Sequence, residues 1–236
     1  MKPPFPIEID GKVIQVTEGQ TVLEVCQANG IDIPVMCHFE GLPDVGACRL
    51  CLVELKGVPK LLPACTLRVA PNQVINTQTE KIKKYRKMIV EALFCERDHV
   101  CAICVANGNC ELQDLAKKVG VDHMRFPDIL QPLELDASHP YFVIDHNRCI
   151  MCTRCVRVCA EVEGAHNFDI KNRSYKVRII SDFNQPWGES KTCTSCGKCV
   201  AVCPVGALWS KSSYQGKIEK KKEAICDLIR KRKVNV

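Results

Sequence analysis

Cys149-Ile150-Met151-Cys152-Thr153-Arg154-Cys155-Val156-Arg157-Val158-Cys159 and Cys193-Thr194-Ser195-Cys196-Gly197-Lys198-Cys199-Val200-Ala201-Val202-Cys203-Pro204 decide the reading of this chain. Both runs are C-x2-C-x2-C-x3-C. At this spacing three thiolates converge on one [4Fe-4S] cluster and the fourth reaches across to the cluster of the other run. The expected ligand sets are therefore Cys149, Cys152 and Cys155 with Cys203, and Cys193, Cys196 and Cys199 with Cys159. Ala160 stands where a proline is usual after the fourth cysteine of the first run, which leaves the ligands intact. The runs flank Tyr175-Lys176-Val177-Arg178-Ile179-Ile180, a period-2 strand candidate, and resemble each other as an internal duplication would.

Upstream, Cys37, Cys48, Cys51 and Cys65 form a third set, C-x10-C-x2-C-x13-C, with Gly41 and Gly46 in the first loop. Two ligands per iron would close one [2Fe-2S] cluster, although the x10 loop is wider than the x4 of plant-type ferredoxins. A fourth set lies in Cys95-Glu96-Arg97-Asp98-His99-Val100-Cys101-Ala102-Ile103-Cys104, continued to Cys110. Cys101, Cys104 and Cys110 need one more donor for a [4Fe-4S] cluster, and His99 and Cys95 both compete for that place. A neutral imidazole can bind iron and typically raises the potential. Zinc accepts four thiolates as well, so a Cys-rich zinc protein is the competing class. Cys26 and Cys226 fall at apolar helical positions and read as packing residues.

Composition supports metal over disulfides. Eighteen of 236 residues are Cys; they cluster at short spacing, and no apolar segment with a cleavage site follows Met1, so a reducing, cytoplasmic location is expected. No run approaches the ~18 apolar residues that a membrane span needs, so no direct membrane insertion is expected. The net charge of +6 sits in Lys211 to Val236, nine basic residues against three acidic, while the remainder is balanced at 24 each. A nucleic-acid face would spread its charge over a folded surface, so no nucleic-acid partner is expected.

Ile7 to Val16 alternates around Gly11 as a hairpin. Thr21 caps a short helix carrying Val22, Leu23, Val25 and Cys26 and stopping near Asn29-Gly30. Thr79 to Phe94 has helical periodicity through Ile82, Tyr85, Met88, Ile89, Ala92 and Leu93. Glu111 to Ala116 reads as one more helix ending at Gly120. Pro127, Pro132 and Pro140 then mark a linker. Ile218, Ile225, Leu228 and Ile229, spaced among the charges of the tail, suggest a surface helix.

These motifs in this order resemble the N-terminal region of the complex I large iron-sulfur subunit, the front of multi-cluster [FeFe] hydrogenases and the small diaphorase subunit of NAD-reducing [NiFe] hydrogenases. The likeness covers about residues 5 to 212, and Cys110-Glu111-Leu112-Gln113-Asp114 matches closely. In complex I the His ligand stands four residues before its first Cys, whereas His99 stands two before Cys101. The resemblance implies an α+β architecture: a β-grasp [2Fe-2S] ferredoxin-like domain (1–78), a helical [4Fe-4S] domain with one His and three Cys ligands (79–120), a linker (121–140), a bacterial 2[4Fe-4S] ferredoxin-like domain (141–212) and a basic tail (213–236).

The relatives in complex I and the [FeFe] hydrogenases continue into large catalytic domains, and this sequence stops at Val236. The diaphorase iron-sulfur subunit of a cytoplasmic, bidirectional NAD-reducing [NiFe] hydrogenase is thus the expected identity. It implies an FMN- and NAD-binding partner on one side and the hydrogenase small and large subunits, with their Ni-Fe centre, on the other. A formate dehydrogenase or another flavin-dependent complex is the alternative setting. No G-x-G-x-x-G marks a dinucleotide pocket here. Fifteen Cys and His99 fill four ligands for each of four clusters, so no catalytic residue and no open metal position are expected.

Overall fold

The computed structural model describes residues 3–127, 132–214, 218 and 220–234. The N-terminal third is a mixed five-stranded sheet. Its strands are β1 (Phe5–Ile9), β2 (Lys12–Val16), β3 (Leu52–Leu55), β4 (Leu62–Pro63) and β5 (Val74–Asn76), in the order β2-β1-β5-β3-β4. β1 and β5 are parallel and the other pairs antiparallel. Ile9 faces Lys12 in register, so Asp10 and Gly11 alone make the hairpin turn, both at positive φ (49° and 79°). That is the geometry whose twist suits two antiparallel strands. Helix α1 (Val22–Ala28) begins with a capping box: Thr21 Oγ1 accepts from Glu24 N–H at 3.1 Å, and Glu24 accepts from Thr21 N–H at 2.6 Å. Val22, Leu23, Val25 and Cys26 of α1 pack under the sheet against Ile7, Ile9 and Ile75.

The helix expected over Thr79 to Phe94 is α2 (Glu80–Cys95), capped by Thr79, and its buried face is mixed in character. Its buried residues are Ile82, Arg86, Val90, Glu91 and Cys95, while Tyr85 and Ala92 are exposed. Two charged residues replace apolar ones because each has partners. Arg86 donates to the carbonyls of Leu50 and Leu52 at 3.1 and 3.0 Å, and Glu91 receives a fork from Arg125 at 2.7–2.9 Å. A buried charge is tolerated when it is paired and hydrogen-bonded.

Helix α3 (Glu111–Lys118) follows, and the expected linker contains a short strand, β6 (Leu135–Asp136), paired with β7 (Phe142–Asp145). Asn147 pins the approach to it by exchanging two 2.7 Å hydrogen bonds with the Leu133 backbone. The last unit holds α4 (Arg154–Arg157), β8 (Phe168–Lys171), β9 (Arg178–Ser181), α5 (Lys198–Val202) and β10 (Leu208–Ser210). β9 is shorter than the Tyr175–Ile180 expectation because Ser174–Lys176 is a 3-10 turn. The duplication is written in the backbone. Met151 and Thr153 of one run, and Ser195 and Gly197 of the other, all have positive φ (50°, 61°, 56° and 72°). Each pair turns the chain around its second cysteine and delivers it into a short helix.

One apolar core joins these parts. Met36, Phe39, Leu42 and Leu50 of the first loop pack with Leu112 and Leu115 of α3 and with Val158, Val202 and Leu208 of the last unit. The tail is also part of it, because the expected surface helix lays its apolar stripe on the core. In α6 (Lys222–Val234), Ile225 and Ile229 are buried, with Ile229 against Gly41; ahead of it, Ile218 is buried too. Arg230 forks onto Glu40 at 2.9 and 3.0 Å. Tail residues 215–217, 219, 235 and 236 lie outside the described residues. Ile229→Ala should weaken tail docking by about 2 kcal/mol or more, seen as a roughly thirtyfold loss of hydrogen-exchange protection in α6 amides. Unchanged protection would show that the docking does not depend on this contact.

Candidate metal centres

Four donor sets emerge, each from a different mix of loop and helix end. In the first, the thiols of Cys37, Cys48, Cys51 and Cys65 lie close enough to act on one another's ionisation, Cys37 with Cys48 and Cys65, and Cys51 with Cys65. The loop that brings them together needs its glycines, since Gly41 and Gly46 sit at φ +86° and +60°. Hydrogen bonds from Cys48 and Cys65 hold the Cys37 thiol down at about 2, and Cys65 likewise lowers Cys51. The same contacts, with burial, push Cys48 and Cys65 up. Four sulfurs this close cannot all be anionic unless a compensating cation lies among them, which is what a two-iron core supplies. Backbone N–H groups of Ala47, Leu50 and Ala64 also point at sulfurs of the set.

The second set surrounds a small cavity lined by His99, Cys101, Cys104, Cys110, Phe94, Arg148 and Gly206. His99 is hydrogen-bonded to the Leu93 carbonyl, and its Nε2 is buried with no partner among the described residues. Burial, aided by the Arg148 charge, lowers the imidazole pKa to about 4, so it is neutral at ordinary pH with an available lone pair. Cys95 is placed elsewhere: its Sγ donates to the Phe126 carbonyl at 3.3 Å and it does not line the cavity. Cys110 sits at the N-terminus of α3, where N–H groups of Leu112 and Gln113 partly offset the upward push of burial on its thiol. Gly206 closes the wall, because a Cβ there would lie 2.5 Å from Cys104 Sγ.

The third cavity brings Cys149, Cys152, Cys155 and Cys203 together among Ile144, Ile150 and Leu208. The fourth gathers Cys159, Cys193, Cys196 and Cys199 beside Phe168 and Trp187. Burial drives Cys149 up to about 12 and Cys152 to about 11, and raises Cys155 and Cys199 well above the usual thiol range. Such pockets are unfavourable for bare thiolates and suit them only around positive charge. Trp187 Nε1–H donates to Cys193 Sγ at 3.2 Å, and the exposed Cys196 leaves one edge of this cavity at the surface. Among the described residues no three His, Cys, Asp or Glu side chains are set to hold a single metal ion. Cys26 and Cys226 lie in none of these cavities.

Several long-range contacts that tie the sets together were not visible in the sequence. Arg157 donates to the Cys37 carbonyl at 2.5 Å and to the Cys152 carbonyl at 3.2 Å, so one guanidinium braces the first and third sets. Arg154 forks onto Glu111 at 3.0 and 2.9 Å, next to Cys110 in the chain, and lies over the Phe39 ring. Glu111 N–H donates to the Pro204 carbonyl at 2.9 Å, and Lys220 Nζ to the Val205 carbonyl at 3.0 Å, linking second and third sets. The one available signal was the pair of arginines inside the first cysteine run.

Three family models match successive parts of the chain. Residues 2–80 match the family described as a 2Fe-2S iron-sulfur cluster binding domain. Residues 86–125 match the NADH-ubiquinone oxidoreductase-G iron-sulfur binding region, and residues 139–209 the ferredoxin-like domain of NADH-quinone oxidoreductase subunit 3. The NADH-ubiquinone oxidoreductase 75 kDa subunit of Reclinomonas americana is 36% identical over 86% of the chain and 29% of its own length. The NADP-reducing hydrogenase subunit HndD of Solidesulfovibrio fructosivorans is 34% identical over 86% of the chain and 35% of its own length. The chain thus spans about a third of the length of these curated relatives. A chain from the crystal structure of NAD+-reducing [NiFe]-hydrogenase in the H2-reduced state superposes with a TM-score of 0.83 at 32% identity, covering 89% of this chain and 88% of that one.

Proposed function

Because this chain belongs to the family of iron-sulfur electron-transfer subunits shared by NAD+-reducing [NiFe]-hydrogenase and the NADH-ubiquinone oxidoreductases, we propose that it is the electron relay of an NAD-reducing [NiFe] hydrogenase. It would pass single electrons between an FMN- and NAD-binding diaphorase subunit and the hydrogenase small and large subunits. Cys37, Cys48, Cys51 and Cys65 would hold one [2Fe-2S] cluster. His99 with Cys101, Cys104 and Cys110, Cys149, Cys152 and Cys155 with Cys203, and Cys159 with Cys193, Cys196 and Cys199 would hold three [4Fe-4S] clusters. When bound, such clusters take up and release one electron each, with no coordination position left for substrate.

The observation that carries the reading is the grouping of donors into four closed sets of four, two of them exchanging a cysteine between runs. The likeness to the hydrogenase chain, 32% identity at a TM-score of 0.83, supports that setting. The protein's own part is to bury the thiols, hold His99 neutral and brace neighbouring sets with Arg154 and Arg157. No helix among the described residues is long and apolar enough to cross a membrane, and a cytoplasmic complex fits this reading.

Metal and sulfide analysis of the anaerobically purified complex tests the cofactors. About fourteen irons with equal acid-labile sulfide per chain are expected from one two-iron and three four-iron clusters; zinc without sulfide would overturn the assignment. Affinity capture from native cells tests the partners. Recovery of formate dehydrogenase subunits in place of both hydrogenase subunits would move the relay to that complex.

A further inference from the structure

Two buried arginines, neither of them in its wall, lie within electrostatic reach of the cavity of Cys149, Cys152, Cys155 and Cys203. Arg154, its side chain 4% exposed, is fixed by Glu111 and by the Val202 carbonyl. Its Nε–H is buried with no acceptor among the described residues. Arg97, also 4% exposed, donates Nη2 to the Val177 carbonyl at 2.6 Å, and its Nε–H is likewise buried and without an acceptor. Arg97 lies within electrostatic reach of Cys149, and Arg154 within reach of Cys152 and Cys203 and, on its other side, of Cys37 and Cys48. Leaving a buried guanidinium N–H unsatisfied is costly. Two such donors within reach of the cysteines of one cavity would be satisfied by an acceptor held there. Glu111 does not cancel the charge, since Lys222 also pairs with it and the trio keeps a net positive charge.

We propose that Arg154 and Arg97 are positioning residues that donate Nε–H to the sulfurs of the cluster in this cavity and raise its reduction potential. The proposal rests on the cluster assignment above. Reduction adds negative charge, and a fixed cation in a low-dielectric interior favours the reduced form; hydrogen bonds to sulfur act in the same direction. Arg154 lies between two donor sets, so it raises the [2Fe-2S] potential as well. The fourth cavity, whose rim carries the Lys198–Glu163 ion pair, is the internal reference.

The test is a redox titration of the intact complex followed by low-temperature EPR. Arg154→Gln is expected to lower both the third cluster and the [2Fe-2S] cluster by tenfold or more in reduction equilibrium, about 59 mV for one electron. Arg97→Gln should lower the third alone, and Arg154→Lys, which keeps the charge but lacks Nε, should give an intermediate shift. The fourth cluster should not move. A merely structural role would reduce cluster content without moving the midpoints of the clusters that remain. Wild-type midpoints in cluster-replete Arg154→Gln and Arg97→Gln complexes would overturn the proposal, and Arg97→Gln decides alone if the Arg154 variants do not assemble. A wild-type complex without [4Fe-4S] signals would instead defeat the underlying assignment.

Discussion

A Cys203→Ser variant should lose the cluster built on the first cysteine run and keep the one built on its own. Cys203 lies in the cavity of Cys149, Cys152 and Cys155, while Cys193, Cys196 and Cys199 share theirs with Cys159. The cause is local: α4 continues as a π-helical turn, Val158–Glu163, that carries Cys159 over to the second run. α5 ends at Cys203, whose extended backbone (φ −65°, ψ 122°) points the chain back at the first run. A serine hydroxyl is a poor substitute for thiolate, so one corner of the cluster is released. Single variants are read by which EPR signal disappears, and a double variant gives a sharper result. Cys149→Ser with Cys203→Ser should cost one cluster, about four irons, whereas Cys149→Ser with Cys159→Ser should cost two, about eight. If the pattern is reversed, each run closes its own cluster and the crossed arrangement is wrong.

The ligand spacing was legible because it is a local code. Met151, Thr153, Ser195 and Gly197 adopt left-handed conformations within a few bonds of the cysteines they place, so C-x2-C-x2-C describes a loop without reference to the rest of the molecule. The Asp10-Gly11 turn and the Thr21 capping box were readable for the same reason. What escaped was long-range pairing. The inward face of α2 includes Arg86 reaching residues 50 and 52 and Glu91 meeting Arg125, partners 34 to 36 residues away, and a periodicity rule that counts only apolar residues does not find them. The docking contacts of the tail escaped in the same way. Its charges answer Glu40 and Glu111, 190 and 111 positions distant. The choice between His99 and Cys95 could not be made from spacing, because it depends on Phe126 meeting Cys95 and on Leu93 meeting His99.

That choice leads to the second large effect. His99→Ala should abolish the second cluster while the other three persist, a loss of about four irons and one EPR signal. The bonded Leu93 carbonyl fixes the ring, and the unpartnered Nε2 is left as the buried donor atom in a cavity with three cysteines. Phe94 meets the ring edge-on at 5.4 Å between centroids and limits its rotation, so removing the imidazole leaves a gap that no neighbouring donor fills. Cys95→Ser should leave the cluster in place, because that thiol faces Phe126. His99→Cys provides the control for chemistry against packing. A thiolate in place of a neutral ring adds a negative charge to the ligand set, so a cluster that re-forms should have its potential lowered by on the order of 100 mV. If instead Cys95→Ser destroys the signal and His99→Ala spares it, the fourth ligand is Cys95, and the segment from Glu96 to Val100 must refold to bring it there.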